Sequence, residues 1–162
     1  VYNSGGYQTL NFVPAIATMV FGLLAGQLLR SDRPITAKLK QLILFGVAGI
    51  AVGQLIAWAG LCPIVKRIWT PSWAIYSAGW VTLLLAGFVA IIEWAGLTVM
   101  YSAWAKVYYE RMKAKGKGRH VILRALAFKW IRVLWKCWQT NTPYDQARYL
   151  KQLARRSSPY AV

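Results

Sequence analysis

The side chains able to do chemistry are few in this chain of 162 residues. It has four acids (Asp32, Glu93, Glu110 and Asp145), one histidine (His120) and two cysteines, against twenty Lys and Arg. Metal ions need ligands gathered at close spacing, which these residues do not offer. Cys62 and Cys137 lie far apart with no CxxC, and read as free thiols without a metal role. What remains is positive charge, +16 in all, whose partners are anionic: phospholipid head groups or nucleic-acid phosphates. The most ordered basic pattern lies between His120 and Trp138. At 100° per residue Arg124, Lys129, Arg132 and Lys136 share one arc, while Leu123, Leu126, Ala127, Trp130, Ile131, Leu134 and Trp138 fill most of the rest. Such a helix offers anionic lipid or nucleic acid a row of cations. Its apolar face is expected to lie flat at a membrane interface. The neighbouring Trp and Tyr suit stacking on bases, or else fill a core and leave a solvated basic face.

The elements that must carry these residues change character near Leu97–Tyr101. Residues 1–100 hold six Lys/Arg and two acids, and residues 101–162 hold fourteen and two. Three apolar runs, Leu10–Leu29, Gln41–Cys62 and Ser72–Leu97, match the roughly 20 residues that a bilayer crossing requires. The link Arg30–Lys40 is more basic than the link Pro63–Pro71, which places the former and the tail on the cytoplasmic side and the amino terminus outside. The polar, glycine-rich start (Tyr2–Tyr7) lacks the basic region of a signal peptide. Gly22/Gly26 and Gly49/Gly53 form GxxxG pairs suited to close helix packing. In the tail, helical patterns over Ser102–Lys115, His120–Trp138 and Tyr144–Arg156 are separated by the Lys115–Gly118 break and a Thr140–Pro143 turn. The expected fold is all-α: a membrane protein with three transmembrane helices followed by basic amphipathic helices, divided into residues 1–98 and 99–162.

The segment Cys62-Pro63-Ile64-Val65-Lys66-Arg67-Ile68-Trp69-Thr70-Pro71-Ser72-Trp73 resembles the "P-x-x-K-x-x-W-T-x-S-[YFW]" stretch of heparan-alpha-glucosaminide N-acetyltransferase-like membrane proteins. Leu10–Thr18 with Gly22 and Ala25-Gly26, and Ser77-Ala78-Gly79-Trp80 with the run to Glu93, are similar to the spans on either side. Val65 departs from the asparagine of many members. The resemblance implies acetyl-CoA-dependent transfer to a sugar amine in the complete parent family, with Lys66, Trp69 and Ser72 near substrate. It also implies that the family's amino-terminal base is missing from this stretch, since His120 lies in the tail. The alternative for Lys66, Arg67 and Trp69 is interfacial anchoring of a helix hairpin.

The tail carries a different resemblance. Tyr101–Tyr109, Lys113–Lys117, Arg124–Arg132 and Thr142-Pro143-Tyr144-Asp145 are similar to the carboxyl-terminal end of a bacterial insertion-sequence transposase, of the family pairing a DEDD-type RuvC-like nuclease with a serine-containing domain. The four clustered carboxylates of that nuclease are not among the acids here, and Ser102 does not fit the position of the family's serine. The expectation is therefore a chimera without a catalytic residue set or a bound cofactor. It would be a catalytically incomplete acetyltransferase-like fragment in the bacterial inner membrane, with a fused basic cytoplasmic tail. A transposase remnant binding nucleic acid non-specifically, and a small membrane protein with an anionic-lipid-binding tail, are the rival expectations. Its partners are the bilayer, anionic lipid or nucleic acid at the tail, and other membrane helices.

Overall fold

The computed structural model describes residues 12–66 and 69–155. The glycine-rich start, Leu10 and Asn11 of the first apolar run, Arg67 and Arg156 lie outside them. The fold is all-α, with six helices and no strand among the described residues: α1 (Phe12–Arg30), α2 (Ile35–Trp58), α3 (Pro71–Tyr101), α4 (Ala103–Ala114), α5 (Arg119–Gln139) and α6 (Gln146–Arg155). The first three are long and apolar enough to cross a membrane. They correspond to the three expected runs, but α2 starts earlier, directly after Pro34, and α3 runs on to Tyr101.

The chain divides into two compact units, Val1–Phe88 and Val89–Val162. This division does not coincide with the composition shift near residue 98. The reason is that the last turns of α3 carry Ala95 and Thr98 into the same buried cluster as α4 and α5.

In the first unit, α1 tolerates Pro14 because first-turn N–H groups have no intrahelical acceptor, so the missing proline N–H forfeits no helix bond. At its other end Lys38 Nζ donates to the Leu29 carbonyl at 2.8 Å, placing a cation at the negative end of the helix. The α2–α3 pair is closer than ordinary side chains allow. A Cβ on Gly79 would stand 2.7 Å from the Gly46 carbonyl oxygen, and one on Gly53 would stand 2.8 Å from Tyr76 Cβ. Lipid gives helices no hydrophobic drive toward each other, so backbone approach through small residues supplies the packing. Of the two GxxxG pairs, Gly49/Gly53 sits in this contact, whereas Gly22 and Gly26 have nothing within 4 Å of an added Cβ.

In the second unit, helices end through local geometry. Gly116, at φ +73°, closes α4: its N–H donates to Lys113 O and that of Lys117 to Met112 O. Asn141, at φ +48°, closes α5 in the same way, with bonds to Trp138 O and, from Thr142, to Cys137 O. Asn tolerates this left-handed conformation because its short polar side chain can bond locally. Asp145 Oδ1 accepts from the backbone N–H groups of Ala147 (2.8 Å) and Arg148 (3.4 Å) and so starts α6.

The core of this unit is aromatic. Trp104, Ala105, Tyr108 and Met112 of α4 meet Ile122, Leu126, Ala127 and Trp130 of α5, with Tyr144, Tyr149, Leu150 and Leu153 packed against them. Trp130 sits 5.0 Å from both Trp94 and Trp104, ring centre to ring centre. The tilted contacts match the edge-to-face preference of π systems. Both buried indoles have acceptors: Trp104 Nε1 donates to Tyr144 Oη (3.0 Å) and Trp130 Nε1 to Thr98 Oγ1 (2.8 Å).

Candidate functional site

Helix α5 carries apolar residues on two opposite faces. Ile122, Leu123, Leu126, Ala127 and Trp130 point inward and are buried. Val121, Phe128 and Trp135 recur every seven residues on the other side, with Trp138 one turn beyond, and are 48%, 63%, 54% and 72% exposed. A seven-residue interval is close to two helical turns, so Val121, Phe128 and Trp135 form a single outward stripe, and the Trp138 ring flanks its end, 5.0 Å from that of Trp135. The expectation that the apolar face as a whole lies flat on a membrane is corrected by this division. The half containing Leu123, Leu126, Ala127 and Trp130 is used inside the protein, because α4 offers a matching apolar face only one tight turn away. Sequence periodicity marks a face as apolar without saying whether protein or lipid covers it. For Trp104, Tyr108 and Trp130 the core-filling alternative describes the structure.

The basic residues divide as well. Lys129, Arg132 and Lys136 line one cleft between α5 and α6, of about 720 Å³, together with Arg148, Tyr144 and Asp145. Arg124 is exposed elsewhere on α5, with its Nε donating to His120 O at 3.3 Å. Thus three of the four residues expected to contact anions are brought together, and Arg148 joins them from a helix that the sequence pattern did not connect to α5. The signal that could have found it is the short Thr140–Pro143 turn, which returns α6 along α5. Lys129 is half-buried, with its Nζ 4.2 Å from the centre of the Tyr108 ring. Burial, and secondarily the Arg132 charge, hold its ammonium pKa below the usual lysine value. The cleft thus keeps cations close to one another at a cost that an anion would offset.

The Lys66–Trp69–Ser72 group forms a tight loop leading into α3. Trp69 N donates to Lys66 O and Thr70 N to Val65 O, with Trp69 itself at φ +49°. A left-handed tryptophan is strained by roughly 1–2 kcal/mol. Thr70 Oγ1 accepts from Val65 N (3.1 Å) and Trp73 N (3.4 Å), capping α3, and lies 3.1 Å from Ser72 Oγ. Ser72 is fully buried and donates to Pro63 O at 2.9 Å. Lys66 is exposed and Trp69 partly so. The hydroxyls of the Trp-Thr-Pro-Ser string are therefore engaged in closing the loop, with Thr70, a member of the string outside the residues expected near substrate, at its centre.

Two further placements bear on chemistry. Ser102 precedes α4 with its Oγ buried and without a hydrogen-bond partner among the described residues. No group of three or more His, Cys, Asp and Glu side chains able to hold a metal ion occurs among the described residues. No family model, curated protein or solved structure matches this chain.

Proposed function

We propose that this chain is a small membrane protein whose carboxyl-terminal unit reads the anionic surface of the bilayer in which α1, α2 and α3 are embedded. The observation that carries this reading is the outward stripe of α5. Phe128 and Trp135 are exposed beside Arg132, with Lys136 next around the helix, joining apolar area to positive charge on one helix. Tryptophan is favoured at the headgroup level, where its ring is apolar and its N–H is wet. Each nearby Lys or Arg adds about 1 kcal/mol of attraction to an anionic leaflet. Nucleic acid would satisfy the cations but would leave Val121 and Phe128 in water. The three apolar helices make a bilayer the surface at hand. With the basic Arg30–Lys40 link on the same side, the tail faces the cytoplasm under the positive-inside rule.

The test uses the full chain with Cys62→Ser and Cys137→Ser, spin-labelled at Phe128→Cys or Trp138→Cys, in nanodiscs of phosphatidylglycerol or phosphatidylcholine. Labels reached by oxygen and shielded from a water-soluble nickel complex in the phosphatidylglycerol discs are expected. Equal exposure to the nickel complex in both lipids would overturn the reading.

A further inference from the structure

We infer that the cleft between α5 and α6 is a discrete site for the phosphate group of an anionic phospholipid. This deepens the membrane-surface reading and rests on it. A basic helix face attracts anions diffusely, as a sum of screened charges. The cleft differs because it is concave and draws its cations from two helices. Lys129, Arg132 and Lys136 come from α5 and Arg148 from α6, with about 720 Å³ between them and the turn that joins the helices. That volume is of the size of small-ligand pockets, which combine apolar lining with a few placed polar groups.

The single carboxylate of this group, Asp145, is already bound through Oδ1 to the start of α6. Four cations to one engaged acid leave a strong preference for an anion. Arginine suits phosphate in particular, because its planar fork can hold two oxygens at once, and two arginines approach this cleft from different helices. Lys129 supports the same assignment. Its ammonium is partly desolvated and crowded by Arg132, so charge compensation in the cleft favours the state it holds at neutral pH.

A lipid is favoured over a nucleic acid by what α5 presents beside the cleft. The outward side chains of Phe128 and Trp135, next to Arg132 around the helix, give acyl chains and glycerol an apolar neighbour.

The experiment uses the full chain in an uncharged detergent, titrated with dioctanoyl phosphatidylglycerol and followed by phosphorus NMR line broadening. Saturable binding is expected, with dioctanoyl phosphatidylcholine much weaker. Arg132→Gln/Arg148→Gln should weaken it about thirtyfold, whereas Lys113→Gln/Lys151→Gln should leave it unchanged. Both arginines are exposed, and a thermal unfolding curve for each variant checks that the fold is kept. Equal loss in the two double variants would overturn the cleft. Inorganic phosphate saturating the cleft as tightly as the lipid would overturn the lipid as the source, as would a single-stranded oligonucleotide binding more tightly with the same dependence on Arg132 and Arg148. Labels at 128 and 138 immersed in phosphatidylglycerol discs without cleft-dependent binding would overturn the cleft alone. Cleft-dependent lipid binding by a chain whose labels stay in water would overturn the surface reading instead.

Discussion

Trp130 in α5 and Thr98 in α3 are joined by a buried hydrogen bond of 2.8 Å, from the indole Nε1 to the threonine Oγ1. The same hydroxyl donates to Ala95 O at 2.7 Å. It thus donates and accepts at once, and the end of an apolar helix is fastened into the core of a basic unit. Replacing Thr98 by Val keeps the shape and leaves the indole N–H unpaired. The expected cost is about 1–3 kcal/mol, read as a lower thermal midpoint of the full chain in detergent. Unchanged stability would mean that water reaches Trp130.

Ser102 should respond in the opposite sense. A serine before a helix normally caps it, so its loss costs about 1 kcal/mol. This hydroxyl makes no cap and is buried without a partner among the described residues. Ser102→Ala is expected to raise stability by a few tenths to about 1 kcal/mol. A drop in the denaturation midpoint would show that the hydroxyl is satisfied in solution.

The two GxxxG pairs should separate cleanly. Gly53→Ala, which would meet Tyr76 Cβ at 2.8 Å and Ser72 O at 3.0 Å, must push α2 from α3, with an expected cost of about 1–3 kcal/mol for overpacking. Gly22→Ala meets nothing and should be neutral within the α1–α3 unit. Disulfide trapping between cysteines introduced on α2 and α3 gives the measurement: its rate should fall for the first variant only.

Lys129 makes a prediction about pH. Its folded pKa is lowered, so the unfolded chain binds this proton more tightly and the charge opposes folding at neutral pH. That opposition should fade as pH rises through the folded value toward the ordinary lysine value. Lys129→Met should therefore gain stability over the parent at neutral pH, with the gain shrinking in alkali. The same variant should weaken anion binding. Isotope-edited NMR of methylated lysines should show the Lys129 pKa moving up when dioctanoyl phosphatidylglycerol is added. A constant difference in stability across pH would place the ammonium in water.

Much of this architecture is legible in the amino-acid sequence. Uninterrupted apolar length marks α1, α2 and α3, and Lys115–Gly118 marks the break between α4 and α5, because both depend on local properties of the chain. The destinations of side chains are less legible. Gly49 and Gly22 look alike in sequence, and only a facing helix distinguishes them. Leu126 and Phe128 are both apolar, yet one meets α4 and the other is exposed. Arg148 joins Lys129 and Arg132 only through the return of α6, which no periodicity within α5 can reveal. Ser72 belongs to a motif-like string whose spacing also suits a helix-starting loop, and the hydrogen bonds of Thr70 identify that second role.

The contact between Trp104 and Tyr144 has a consequence for the order of synthesis. Donor and acceptor are forty residues apart, and Tyr149, whose ring stands 5.2 Å from that of Trp104, comes later still. As the ribosome delivers the chain from its amino end, α4 and α5 emerge with the Trp104 indole lacking its acceptor and one side of the aromatic cluster open. The last helix is therefore the closing piece. A transcript cut short before Tyr144 would yield a tail with an exposed tryptophan cluster, the kind of surface that quality-control proteases recognise.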